Sequence, residues 1–399
     1  MDAALEAWDA LMVERAARFE LYGAVRLYER VRVLELYGVG AAGDGVHVVT
    51  PSLLEEEAPR LAVVVPVKND ELLTLEGVIS GIPHASPVII VSASDREPVD
   101  RYRHELELAR LVHERTGRQV MVIHQRDPAW RRALEGTPLE AMLGEDGLVR
   151  YGKGEGMLLG FLAAAWLGAR YVGFIDSDNY VPGSVSEYAV AYIAGFTMAS
   201  SPRSMVRIKW PYKGKIAGVP GDVYLRRRGR VSMHTNRVLN MAISLLRGVE
   251  TDIVQTANSG EHALTVELGL EMEWAGGFAV EPYQLVSLLE GCWLHRRPCP
   301  SGGEGIDVLQ VETRNPHLHA ERGEEHLVSM LATSLGTVYH SSLAQPRVRE
   351  EIIQLLREQG YQGEPPKPRV YPPPGRETPR KAMEALLAES RDTLVLPER

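Results

Sequence analysis

Four short apolar runs constrain this chain more than any other feature. They are Leu61-Ala62-Val63-Val64-Val65-Pro66-Val67 and the stretches 87–93, 119–124 and 171–175. A strand buried on both faces reads as such an unbroken apolar stretch. Between the runs lie segments of helical character, the clearest at 98–116 and 157–167. Strands alternating with helices imply an α/β class: a mostly parallel sheet with helices on both faces and right-handed crossovers. Ligands of such sheets bind just beyond the carboxyl ends of the strands.

The rest of the chain divides around this core. Residues 1–60 read as an acidic, helical leader, 61–200 as the α/β region, 201–322 as a second region interlocked with it, and 323–399 as a helical extension. A Pro-rich link covers 363–380. Strands are expected at 204–210 and 306–313, and helices at 236–247, 260–270, 281–289, 324–335, 347–358 and from 381 to about 390.

Composition excludes some partners. With 399 residues, 45% of them hydrophobic, the chain can bury a substantial core. Its net charge of −9 argues against a general nucleic-acid or membrane-surface binder, because those partners reward a basic face. Cys292 and Cys299 fit a reducing compartment better than a disulfide scaffold. The first 20 residues carry Asp2, Glu6, Asp9 and Glu14 rather than a basic, apolar signal pattern, and no run approaches membrane-spanning length. The cytoplasm is the default location.

The fourth run ends in Asp176-Ser177-Asp178. Two carboxylates at a strand's carboxyl end can share a hard divalent cation with a diphosphate, since such ions take oxygen ligands and keep several waters. Asp also simply initiates turns, and the motif by itself leaves both readings open.

Other segments offer similar choices. Pro66-Val67-Lys68-Asn69-Asp70-Glu71 could cradle a base and ribose at the sheet edge, with Glu71 accepting ribose hydroxyls, or could merely cap the next helix. Ser92, at the end of the second run, would face the same nucleotide. Gly152-Lys153-Gly154-Glu155-Gly156 lacks the spacing of a Walker loop, yet free N–H groups at a helix start and the Lys153 charge can hold a diphosphate. Arg226-Arg227-Arg228-Gly229-Arg230 is a basic cluster in an acidic chain: a solvated surface, or a receptor for an anion. His317-Leu318-His319 could supply a metal ligand. Glu281 lies just before Pro282, where it would also suit a helix N-terminus.

Taken in order, these anchors resemble a family, the retaining GT-A-type glycosyltransferases that make glycosyl-3-phosphoglycerates, most closely those that transfer mannose. The resemblance covers roughly residues 60 to 320 and rests on Val65 to Glu71, Val91-Ser92, Gly152 to Gly156, Asp176 to Asp178, Gly229-Arg230-Val231-Ser232 and His317 to His319. It implies a GT-A-like, Rossmann-type nucleotide-binding sheet with an interlocked acceptor region at 201–322. The implied reaction moves mannose from GDP-mannose to 3-phosphoglycerate with Mg²⁺ or Mn²⁺, releasing GDP on the way to mannosylglycerate.

The resemblance also implies roles. Asp178 and His319 would bind the metal, and Asp178 and Glu281 would serve the chemistry, Glu281 from the sugar side. Pro66, Val67, Lys68, Asn69, Glu71, Ser92, Lys153 and Asp176 would hold the nucleotide. Gly229, Arg230, Ser232 and His317 would hold the phosphorylated acceptor. A homodimer is left open. The rival within the class is a glucosyl-3-phosphoglycerate synthase; rivals outside it are a sugar-nucleotide nucleotidylyltransferase and a noncatalytic nucleotide-binding protein.

Overall fold

The computed structural model describes residues 11–36, 43–216, 224–227, 229–318 and 323–397. In chain order the strands are β1 (Leu11–Glu14), β2 (Phe19–Tyr22), β3 (Val25–Glu35), β4 (Val46–Val49), β5 (Leu61–Val67), β6 (Val88–Ser92), β7 (Val120–His124), β8 (Tyr171–Phe174), β9 (Ser204–Lys209), β10 (Lys213–Ile216), β11 (Tyr224–Arg227), β12 (His262–Thr265), β13 (Trp274–Ala275), β14 (Ile306–Glu312), β15 (Val370–Tyr371) and β16 (Leu394–Leu396). Twelve of them form one sheet in the order β16-β7-β6-β5-β8-β12-β9-β14-β3-β1-β4, with β2 attached to β3.

The four apolar runs are β5 to β8, and they are mutually parallel: Val63 pairs with Val88, Val64 with Phe174 and Val88 with Val120. Alternate side chains enter opposite cores, as the two-residue period of a strand requires. Val63, Val65 and Val67 pack with the helices Leu72–Gly81, Arg101–Thr116 and Pro182–Met198. Ala62 and Val64 pack with Lys153–Trp166, Arg230–Arg247 and Val280–Cys292 on the other face. Each fully buried Val or Leu contributes roughly 1.5–3 kcal/mol, so this half-sheet is the rigid base of the molecule. Its four carboxyl ends, Val67, Ser92, His124 and Phe174, reach one edge together. Backbone bonds from Ala93 N–H to Val67 O (2.8 Å) and from Gln125 N–H to Ser92 O (2.7 Å) hold the loops there.

The α/β expectation is met, with three corrections. The leader is not helical where it is described: residues 11–49 supply β1 to β4, and the helix Pro51–Glu57 follows. Val25-Arg26-Leu27 and Val31-Arg32-Val33 alternate with period two, so the apolar half is buried while Arg32 is exposed and Arg26, half-buried, pairs with the buried Asp307 of β14. Residues 260–270 split into β12 and the short helix Val266–Glu271, because β12 fills an antiparallel slot between β8 and β9. The sheet is therefore parallel from β7 through β6 and β5 to β8, with β16 antiparallel at its outer edge, and mixed beyond β8. Lastly, Cys292 and Cys299 are joined in a disulfide that closes a seven-residue step after the helix Val280–Cys292. Among the described residues no helix is long and apolar enough to cross a membrane.

Candidate active site

A cavity of about 700 Å³ opens at the edge where β5 to β8 end. The end of β5 contributes Pro66 and Val67 to its wall, the loop after it Lys68 and Asp70, and the loop after β8 Asp176, Ser177 and Asp178. Lys153, Glu281, Gly229, Arg230, Ser232 and His317 arrive from elsewhere in the chain. Residues that are far apart in sequence thus meet around one space.

At its floor Lys153 is clasped by two acids. Its Nζ lies 2.7 Å from Asp176 Oδ1 and 2.9 Å from Glu281 Oε1. Burial alone would push this ammonium down, but the carboxylates of Asp176 and Glu281 outweigh it and hold the lysine charged, well above its usual range. Glu281 is in turn fixed from behind. The buried Arg207 donates to Glu281 O (2.9 Å), to Thr256 O (2.9 Å), to Ala257 O (3.1 Å) and to Gln284 Oε1 (2.9 Å). Its burial lowers the guanidinium to about 10, with Glu281 opposing.

The glycines around Lys153 have a packing reason. The helix begins at Lys153, and the fully buried Glu155 carboxylate turns back to accept from Gly277 N–H (2.8 Å), Tyr371 Oη (2.7 Å) and Arg369 (3.1 Å). A Cβ on Gly276 would lie 2.2 Å from Glu155 Oε1, and one on Gly154 would lie 2.1 Å from Ala275 O. The short ladder between β13 and β15 brings Tyr371 into place. The Pro-rich link is therefore a strap across the back of the site.

On the far side, Asn179 Nδ2 donates to Asp176 O (2.8 Å) and to Glu261 Oε1 (3.1 Å), bracing the acidic turn. His317 stacks on Trp210 with ring centroids 4.3 Å apart, and its Nδ1 is 3.8 Å from Glu261. The segment carrying His317 is anchored by Glu187, which accepts from the N–H groups of Arg314 (2.6 Å) and Asn315 (2.9 Å). Burial pushes the Glu187 carboxyl up, and those two N–H groups oppose it. Gly229 and Arg230 open the helix Arg230–Arg247, whose Ser232 donates to Asn258 O (3.2 Å).

Three expected nucleotide contacts are not on the cavity wall. Ser92 is buried and accepts from Ser94 N–H (3.1 Å), while Val91 and Ala93 line the cavity instead. Asn69 has φ of 60° and exchanges hydrogen bonds with Asp95, Nδ2 to Oδ2 at 2.8 Å and Asp95 N–H to Oδ1 at 2.9 Å. It is a brace between two loops. Glu71 is an exposed helix N-cap without a side-chain capping bond. Asp70 lines the wall in its place and accepts from Ser177 Oγ at 2.5 Å.

Gln125, Tyr151, Trp210, Asn258 and His326 also line the cavity. They are single polar or aromatic residues on loops and helix ends, and only the neighbouring glycine signal at 152–156 pointed toward Tyr151. The cluster 226–230 is divided: β11 takes its start, Arg228 lies outside the described residues, and Arg230 is exposed at the cavity.

The described acids fit a hard cation in kind. Asp178 is half-buried on the wall and carries carboxylate oxygens of the kind a hard cation takes, and Asp176 pairs with Lys153. His319, the other expected ligand, lies outside the described residues. Among the described residues no three His, Cys, Asp or Glu side chains form a ready metal cluster.

Fold and site define an α/β protein whose ligand cavity sits at the carboxyl edge of a parallel half-sheet, floored by a buried lysine between two acids. Residues 15–386 match the family model for mannosyl-3-phosphoglycerate synthase. The mannosyl-3-phosphoglycerate synthase of Aeropyrum pernix is 53% identical over 386 residues, covering 96% of this chain and 99% of its own. That of Pyrococcus furiosus is 41% identical over 374 residues, covering 91% and 94%. A solved glucosyl-3-phosphoglycerate synthase from Mycobacterium tuberculosis is similar at 22% identity and a TM-score of 0.45, over 72% of this chain and 81% of its own. The chain belongs to the mannosyl-3-phosphoglycerate synthase family.

Proposed function

We propose that the chain transfers mannose from GDP-mannose to 3-phosphoglycerate with retention of configuration, giving mannosyl-3-phosphoglycerate and GDP in the cytoplasm. One observation carries this reading: in a member of this family, the acidic turn, the clasped lysine and Arg230 converge on a single cavity. The loops after β5 and β6 would take the nucleoside, and Lys153 and the helix start behind it the diphosphate. Arg230 and Ser232 would receive the acceptor phosphate, Arg230 by forked hydrogen bonds.

In the reaction the acceptor hydroxyl oxygen bonds to the sugar's anomeric carbon while the bond from that carbon to the diphosphate breaks. The hydroxyl proton passes to the departing diphosphate oxygen. Glu281, held by Lys153 and by Arg207 through its backbone, would face the sugar and steady positive charge at that carbon. Asp178 and His319 would hold Mg²⁺ or Mn²⁺, which when bound offsets charge on the leaving diphosphate.

The test is product mass after incubation with GDP-mannose or UDP-glucose, each with and without 3-phosphoglycerate and Mg²⁺ or Mn²⁺. The expected product forms from GDP-mannose only when the acceptor is present. No phosphorylated glycoside under any combination would sink the proposal, and a product from UDP-glucose alone would favour the glucosyl reading.

A further inference from the structure

One buried amide on the cavity wall has its orientation dictated by its neighbours. Gln125 follows β7 and is 2% exposed. Its Nε2 donates to Arg150 O (2.7 Å) and to Gly152 O (3.1 Å). Two carbonyls can be satisfied only by the NH₂ end of the amide, so Oε1 is locked as a pure acceptor. Among the described residues Oε1 accepts no hydrogen bond, and Gln125 lines the cavity. Gly156 keeps it uncovered, since a Cβ there would lie 3.1 Å from Oε1. An acceptor held in one orientation at the cavity wall is set to meet a ligand donor, and once the ligand covers it a missing donor costs free energy.

The surroundings indicate which donor. Pro66, Val91 and Ala93 give this part of the wall an apolar bed, with Tyr151 at the side. Such a bed suits a flat base, whereas ribose hydroxyls would turn to the acids at Asp70 and Asp176. A fixed acceptor discriminates between bases: guanine presents two adjacent donors, N1–H and the 2-amino group, while uracil presents one N–H flanked by two carbonyl oxygens that would face Oε1 unfavourably. We propose that Gln125 Oε1 accepts from the 2-amino group of guanine and so selects the donor's base. This rests on the GDP-mannose reading above.

The probes are GDP and IDP, which differ only in that amino group, titrated calorimetrically with Mg²⁺ present. The wild-type chain should bind GDP about 10- to 100-fold more tightly than IDP, the range expected for one buried hydrogen bond. Gln125→Met should weaken GDP and leave IDP nearly unchanged, collapsing the ratio. Equal wild-type affinities would overturn the proposal without recourse to a variant that fails to fold. An equal loss of both nucleotides in Gln125→Met would also overturn it, because the acceptor would then be reading something common to both. Binding of neither by the wild-type chain would remove the GDP-mannose reading, and this inference with it.

Discussion

Lys153 Nζ sits 2.9 Å from Glu281 Oε1, although 128 positions separate the two residues. The same ammonium also holds Asp176, so one cation ties the acidic turn after β8 to the start of the helix Val280–Cys292. Lys153→Met leaves two acids facing each other in a largely buried setting. Urea unfolding should report a loss of about 3–5 kcal/mol, and turnover should fall by roughly two orders of magnitude or more. The raised lysine pKa sets the pH behaviour. Its contribution is fully present below the unfolded value of about 10.4 and is lost only as pH rises through the higher folded value. The stability gap between wild type and variant should therefore stay constant from about pH 6 to pH 9.

Asp178 is half-buried on the wall, so replacing it should spare the fold. Asp178→Ala is expected to keep the wild-type circular dichroism spectrum and to lose turnover. Mn²⁺ should raise the melting temperature of the wild-type chain and not that of the variant. Full activity across a metal titration would remove Asp178 from the metal site.

Arg230 is exposed at the cavity, where a phosphate would meet its guanidinium. Arg230→Ala should raise KM for 3-phosphoglycerate by about 10- to 100-fold with a smaller change in kcat, the signature of lost ground-state binding. An unchanged KM would place the acceptor elsewhere.

His262 is buried with both ring nitrogens engaged: Nδ1 with Ser259 O at 2.8 Å, and Nε2 with Gln284 Nε2 at 3.0 Å. Burial, reinforced by Arg207, holds its pKa well below the usual value. The unfolded chain therefore binds the extra proton first, and stability should fall as pH drops below about 6.5, by up to about 1.4 kcal/mol per pH unit. Urea midpoints from about pH 7.5 to about pH 5 test this. His262→Gln should flatten the slope.

Tyr371 reaches Glu155 from the Pro-rich strap. Tyr371→Phe removes one donor from a fully buried carboxylate, at a cost of about 1–3 kcal/mol. Because Glu155 also holds Gly277 N–H, next to Phe278 on the cavity wall, kcat should drop several-fold as well. A thermal shift with kcat unchanged would limit the strap to a stabilising role.

The parallel half-sheet was legible because β5 to β8 are buried on both faces and so announce themselves as unbroken apolar runs. The strands at 11–49 were not, since half of each faces outward and charged residues interrupt the apolar ones. At the site, Asp176, Asp178, Lys153 and Glu281 could be picked out as charged residues beside glycine turns or strand ends. What the sequence does not reveal is their pairing: Lys153 is clasped by Asp176 and Glu281, which lie 23 and 128 positions away. Arg207 was hidden inside an apparently ordinary strand, and nothing local marks the amide of Gln125. Both depend on carbonyls from distant loops.

The pairing of β3 with β14 joins segments separated by about 280 positions, as Arg26 beside Asp307 illustrates. During synthesis β3 can bind β1 and β2 at once, but its other edge stays open until β14 is made. An 11-residue strand with an unsatisfied edge is a template for pairing with another chain. Much of this protein's yield on expression would then depend on how that edge is protected in the interval, a vulnerability that the finished sheet conceals.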